Sequence, residues 1–97
     1  MKNLYILILV IAFSFIMKAE VSVTEKNALL KLYKATNGSD WTVKWDLKAP
    51  VSAWYGIVLQ DEKVISIQLT NNNLVGYLPS EISGLVYLKT LDLFKNF

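Results

Sequence analysis

The chain has 97 residues, of which 54% are hydrophobic, with ten lysines against eight acidic residues and a net charge of +2. It contains no cysteine and no histidine, so disulfides, the commonest nucleophile and the commonest general base are all missing. Proteins that bind nucleic acids carry a basic stripe, and this nearly neutral sequence has none, which excludes nucleic acid as a partner.

The N-terminus has the pattern of a secretory signal peptide over residues 1–19. Lys2 is followed by an apolar run from residue 4 to residue 17 and then by the small residue Ala19. This run is shorter than the roughly 20 residues that a membrane-spanning helix needs. We therefore expect a secreted or cell-surface protein with no stable membrane span after cleavage; the alternative is an uncleaved N-terminal anchor.

A short amphipathic helix is predicted next. Thr24 is the expected N-cap, Leu29 and Leu32 lie on one apolar face, and Asn37-Gly38 ends the helix with glycine just past its last turn. The triplet 37–39 also fits a glycosylation sequon, although we interpret it as a helix stop.

A polar loop with three tryptophans follows the helix. A strand is predicted from Tyr55 to Leu59, and a four-residue turn over 60–63 joins it to a second strand that begins at Val64. Asp61 and Glu62 lie side by side in that turn, where neighbouring carboxylates point apart, so we interpret them as surface residues.

The rest of the chain repeats itself with a period of 24 residues. Such a period predicts one unit that stacks on copies of itself, because a single unit cannot bury its apolar face. Apolar and polar residues alternate around Ile67 and Leu69, which is the pattern of a half-buried strand. Asn72 follows the strand, where its amide can satisfy turn backbone groups. The repeated pairs are Val64 and Leu88, Ile67 and Leu91, Leu69 and Leu93, and Asn72 and Asn96.

This unit resembles the leucine-rich repeat family in its plant-type form, L-x-x-L-x-L-x-x-N-x-L-x-G-x-I-P. The resemblance implies that Leu74, Leu78, Ile82 and Leu85 fill the interior. The matching residues are Val64, Ile67, Leu69, Asn72, Leu74, Gly76, Leu78 and Pro79, followed in register by Ile82, Leu85 and Leu88.

The preceding segment is similar to the N-terminal cap of extracellular leucine-rich repeat proteins, through the runs 28–33, 35–41 and 50–57. Plant versions carry paired cysteines near Val51 and Leu59, which are absent here, so the chain looks more like the bacterial secreted branch. The resemblance implies an α/β solenoid with a helix-plus-hairpin cap over 20–63 and one to two repeats over 64–97, the second incomplete. We expect a truncated fragment, because the second repeat stops one position short of its next apolar residue.

Two groups of residues are candidates for structural and binding roles. The structural group consists of Trp41, Trp45, Trp54, Asn72 and Asn96, with the tryptophans sealing the end of the solenoid; the alternative is a sugar-stacking platform. The binding group lines the predicted concave face and consists of Ser66, Gln68, Thr70, Thr90, Asp92 and Phe94.

These patterns favour an extracellular, non-catalytic module that binds a protein or a glycan. No glycine-rich phosphate loop, metal-ligand spacing or facing pair of acids indicates an enzyme, a metal or a cofactor. The alternatives are a structural cap fragment with no ligand of its own and a targeting appendage of a secreted hydrolase.

Overall fold

The computed structural model describes residues 20–96, and the predicted signal peptide lies outside them. One helix, α1 (Val23–Ala35), precedes three strands, β1 (Ile57–Gln60), β2 (Lys63–Gln68) and β3 (Thr90–Asp92). Short 3-10 turns cover Gly38–Asp40, Val51–Ala53 and Ser80–Gly84. Within 20–96, no helix has both the length and the apolar character needed to cross a membrane.

Helix α1 begins two residues earlier than the sequence predicts. The Ser22 hydroxyl accepts a hydrogen bond from the Glu25 backbone N–H at 3.2 Å, so Ser22 is the N-cap and the prediction of Thr24 is wrong. The hydroxyl satisfies a backbone donor that the first helical turn leaves free. The N-cap oxygen must precede its N–H partner by two or three positions, and Ser22 meets that spacing with Glu25.

The end of α1 is set by Asn37 rather than by glycine. Asn37 takes the left-handed conformation with φ of 56°, which asparagine tolerates, and its side-chain amide donates to the Val75 carbonyl. Gly38 has another role, because a Cβ at this position would lie 2.4 Å from the Tyr33 ring. The residue just past the last turn is therefore Asn37, and the prediction that glycine occupies that position is wrong.

The three strands form one sheet in the order β1-β2-β3, antiparallel and then parallel. Gln60 pairs with Lys63, so the hairpin turn has two residues, not the predicted four. Asp61 and Glu62 both have positive φ, 51° and 59°. A two-residue hairpin turn with positive φ at both positions matches the right-handed twist of the strands that it joins. The strand predicted at 55–59 accordingly lies at 57–60.

The parallel pairing follows the sequence period. Ser66 pairs with Thr90 and Gln68 pairs with Asp92, so each of residues 66–68 in β2 lies beside the residue 24 positions later in β3. The repeat in the sequence is therefore a repeat in space, with one strand per unit.

The core lies between α1 and the sheet. Its central side chains are fully buried: Leu29, Leu32, Val64, Ile67, Leu69 and Leu74. Leu85 is buried and Ile82 packs against this cluster. Leu78, predicted to be interior, is 45% exposed. In this segment the contact with α1 is made by backbone groups and not by side chains, since the Tyr77 N–H donates to the Ala35 carbonyl.

Gly76 makes this backbone contact possible. Its φ is +142°, and a Cβ would lie 2.0 Å from the Ala35 carbonyl oxygen. Only glycine allows so close an approach in this conformation. Gly76 therefore allows the backbone of residues 75–77 to pack against the C-terminal end of α1.

A buried carboxylate also joins the helix to the sheet. Glu25 is 4% exposed; one carboxylate oxygen accepts from the Val64 backbone N–H at 3.0 Å and the other from the Ser22 hydroxyl at 3.0 Å. Val64 is 39 residues away in sequence. Because a carboxylate hydrogen bond is stronger than a neutral one, Glu25 fixes the helix against β2.

Glu25→Gln should lower the free energy of unfolding by about 1 kcal/mol, since it replaces a charge-assisted hydrogen bond by a neutral one of the same shape. Urea denaturation followed by tryptophan fluorescence measures this change. Glu81→Gln, at an exposed position, is the matched control and should shift stability by less than about 0.5 kcal/mol. Equal shifts in the two variants would contradict the role given to Glu25.

Candidate binding surface

The outer face of the sheet carries most of the predicted binding residues. Along β2 and β3, alternate side chains point away from the core, so Gln68 lies beside Asp92 in one cross-strand row. Five of the six predicted residues are exposed: Gln68, Thr70, Thr90, Asp92 and Phe94.

Ser66 is the exception, with only 6% of its surface exposed. It lies in the central strand, between Val58 of β1 and Thr90 of β3. Its hydroxyl accepts a hydrogen bond from the Gln68 side-chain amide at 3.1 Å. The prediction that Ser66 is open to a ligand is wrong, because neighbouring side chains cover so short a residue; instead it orients Gln68.

The chemistry of this outer face is mixed polar and aromatic. One Asp92 oxygen accepts from the Phe94 backbone N–H at 3.0 Å, and the Phe94 ring is 66% exposed. The Lys95 ammonium lies 5.9 Å from the centre of that ring. A carboxylate, an amide and an aromatic ring side by side suit the recognition of a partner surface. Within residues 20–96 no cluster of three potential metal ligands accompanies them.

The turn that follows each strand is held by an asparagine ladder. The Asn72 side chain, 2% exposed, accepts from the Val43 N–H at 2.7 Å and donates to the Val43 carbonyl at 3.0 Å. Asn96 accepts from the backbone N–H groups of Asn72 and Leu74, both at 3.0 Å. Each asparagine thus bonds the backbone of the unit before it, and the ladder fixes the spacing between units.

The same turn has a left-handed residue in both units, which the sequence analysis missed. Asn71 has φ of 52° and Lys95, 24 positions later, has φ of 57°. Asn73 also has positive φ, 59°, and its side-chain amide donates to the Asp40 carbonyl at 2.9 Å. The run of asparagines at 71–73 was a usable signal, because asparagine tolerates this conformation.

The three tryptophans form a buried aromatic cluster within the hydrophobic core. Trp41, Trp45 and Trp54 are 2%, 4% and 2% exposed. Trp45 stacks on Trp54 at 4.9 Å and on the half-buried Tyr33 at 5.6 Å, and Trp41 meets Trp45 edge-on at 4.9 Å.

Each indole N–H of this aromatic cluster has a backbone partner. Trp41 donates to the Thr36 carbonyl at 3.0 Å, Trp45 to that of Tyr55 at 2.8 Å, and Trp54 to that of Asp46 at 2.9 Å. Sugar stacking needs an open ring face, and these side chains have almost no exposed surface. The cluster instead packs α1 against the loop that precedes β1.

No model of a protein family matches the sequence. The chain is 40% identical to a probable leucine-rich repeat receptor-like protein kinase of Arabidopsis thaliana, over 70% of this chain and 9% of the kinase. It is 30% identical to polygalacturonase inhibitor 1 of the same plant, over 69% of this chain and 22% of the inhibitor. The chain is a leucine-rich repeat protein related to these plant proteins.

A solved structure has the same fold. The leucine-rich repeat protein of Bacteroides eggerthii superposes with a TM-score of 0.65 and 22% identity, over 77% of this chain and 14% of that one. This leucine-rich repeat chain therefore spans less than a quarter of the length of each of these three proteins.

The comparison with the receptor-like kinase concerns repeats and not catalysis. The matched part of that protein is its leucine-rich repeat region. The leucine-rich repeats described here are thus similar to the non-catalytic part of a larger protein.

Proposed function

We propose that this chain is an extracellular, non-catalytic module that binds a protein through the outer face of its sheet. The proposed arrangement is a signal peptide over 1–19, a cap over 20–63 and repeats over 64–97. The observation that carries the proposal is the exposed row of Gln68 and Asp92, with Phe94 beside it, on a sheet whose central strand buries Ile67 in the core on the other face.

A protein partner is favoured over a glycan. The three indoles that would stack on a sugar are buried, which leaves Phe94 as the exposed aromatic ring among the predicted binding residues. An exposed ring beside a carboxylate and an amide matches the composition of protein interfaces, where aromatic anchors lie among polar groups. The relationship to an inhibitor of an enzyme, polygalacturonase, agrees with this choice.

Residues 1–19 support the extracellular location through their basic start and short apolar run. The sequence left two alternatives, a cap fragment with no ligand of its own and a targeting appendage of a secreted hydrolase. Binding of a partner at the outer face separates the proposal from the first alternative, because a cap fragment of that kind has no ligand.

Selection of random peptides on the full-length chain tests the proposal. We expect the selected peptides to lose at least about tenfold in affinity for Asp92→Lys, because charge reversal at the centre of an interface leaves partner groups unpaired. Asp46→Lys is the matched control, since both aspartates are exposed and each accepts one backbone N–H two residues ahead at 3.0 Å.

Peptides whose binding is equally strong to wild type and Asp92→Lys would overturn the proposal. A second arm measures the chain on a glycan array. If the chain binds a glycan and Asp92→Lys loses that binding, the partner of the outer face is a sugar and not a protein.

A further inference from the structure

A second surface lies on the cap, and it shares no residue with the outer sheet face. A cavity of about 320 Å³ runs between α1 and the loop that follows it. Residues 27, 30, 31 and 34 form its helical wall, and their spacing places them on one stripe of the helix. The full lining is Asn27, Leu30, Lys31, Tyr33, Lys34 and Leu47. We call this the cap groove.

The floor of the cap groove is apolar and firmly supported. Leu30 and Tyr33 pack against the hydrophobic core while remaining partly exposed, and Leu47 is 43% exposed. The Tyr33 ring stacks on Trp45, with 19° between the ring planes. Because Trp45 in turn stacks on Trp54, the groove wall is part of a packed column and is already formed without a ligand.

The rim of the cap groove is positive. Lys31 and Lys34 line it, and the one acidic residue of α1, Glu25, is buried with both carboxylate oxygens hydrogen bonded. The exposed charged residues of α1 are therefore all lysines. Over residues 23–48 there are five lysines against three acidic residues, including Glu25, although residues 20–97 are neutral as a whole.

Charge and shape together select the occupant. A second copy of this chain would bring lysines against lysines, so self-association is disfavoured. A bilayer surface is flat and binds protruding apolar side chains, whereas a concave groove receives a protruding element. We propose that the cap groove docks an acidic amphipathic helix of a protein partner, with an apolar side chain between Leu30 and Leu47 and carboxylates on Lys31 and Lys34.

A synthetic helical peptide tests this inference on the full-length chain. The probe carries leucines at positions i, i+3, i+4 and i+7 and glutamates elsewhere, and its counterpart has lysine for every glutamate. We expect the acidic peptide to bind and the basic one not to, with binding that weakens as salt screens the charges. Because Tyr33 stacks on Trp45, a change in tryptophan emission reports occupation of the groove.

Variants of the groove locate the binding. Lys31→Glu with Lys34→Glu should weaken the acidic peptide at least about tenfold, since charge reversal juxtaposes like charges across the interface. Lys26→Glu is the control: it reverses one lysine charge, half the charge change of the double variant, at an exposed site on the same helix, outside the groove. It should leave affinity within about twofold.

Several results would overturn the inference. One is equal binding of the acidic and basic peptides. Another is an equal loss of affinity for the acidic peptide in Lys26→Glu and in the double variant. The third is dimerisation of the chain that rises with its concentration in the absence of peptide. Binding to phosphatidylserine vesicles in place of the peptide would identify a membrane surface instead. Circular dichroism of each variant checks that the exposed substitutions leave the fold intact.

Discussion

Trp54→Ala is expected to lower the free energy of unfolding by about 3–5 kcal/mol, the cost of truncating a large buried aromatic residue. Trp54 is 2% exposed and stacks on Trp45 with 16° between the ring planes. Its N–H also bonds the carbonyls of Asp46 and Ala49, which would lose that donor. The substitution therefore removes packing, stacking and a polar contact at one site.

One further variant separates the ring from its N–H, and a second serves as a control at an exposed ring. Trp54→Phe keeps an aromatic ring and removes the N–H, so it should cost less than the alanine variant. Phe94→Ala removes an aromatic ring that is 66% exposed and should change stability by less than about 0.5 kcal/mol. Urea denaturation gives the unfolding free energies of all three variants.

Fluorescence gives an independent measure of the same cluster. Buried indoles emit at short wavelength and are poorly quenched by iodide, and we expect both properties for wild type. Tryptophans that iodide quenches readily, or whose emission soluble glycans change, would contradict the burial and revive the sugar-stacking alternative.

The parts of the fold that depend on periodicity could be predicted from the sequence. The 24-residue period places Gln68 beside Asp92, and the structure has this pairing. Asn72 was assigned to turn backbone because an amide can both donate and accept, and its two bonds to Val43 are of this kind. Both inferences rest on the local pattern and on the geometry of the repeat, which can be read from the sequence without knowing the distant contacts.

The errors arose where a distant residue decides the outcome. Alternation placed Ser66 on the outer face, but neighbouring strands determine that it is covered. The buried role of Glu25 has no signal in the local sequence, because its partner Val64 lies 39 residues away. Leu78 fitted the repeat pattern, yet its side chain is exposed, because backbone groups make the contact between this segment and α1.

The asparagine ladder gives the second large expected effect. Asn72→Ala should cost about 1–3 kcal/mol, the usual penalty when buried polar groups lose their partners. The methyl group of alanine cannot replace the bonds to the Val43 N–H and carbonyl, and the site is too enclosed for bulk water to do so, since Asn72 is 2% exposed. Urea denaturation again measures the change.

Two other asparagines make this prediction specific. Asn27→Ala, on the exposed side of α1, should change stability by less than about 0.5 kcal/mol. Asn73→Ala loses an exposed hydrogen bond to the Asp40 carbonyl and should fall between the two, at about 0.5–1 kcal/mol. The order follows from burial, because water replaces the lost partner at Asn73 but not at Asn72. If Asn72→Ala and Asn73→Ala had equal effects, the side chain of Asn72 would not be holding the cap loop to the first repeat.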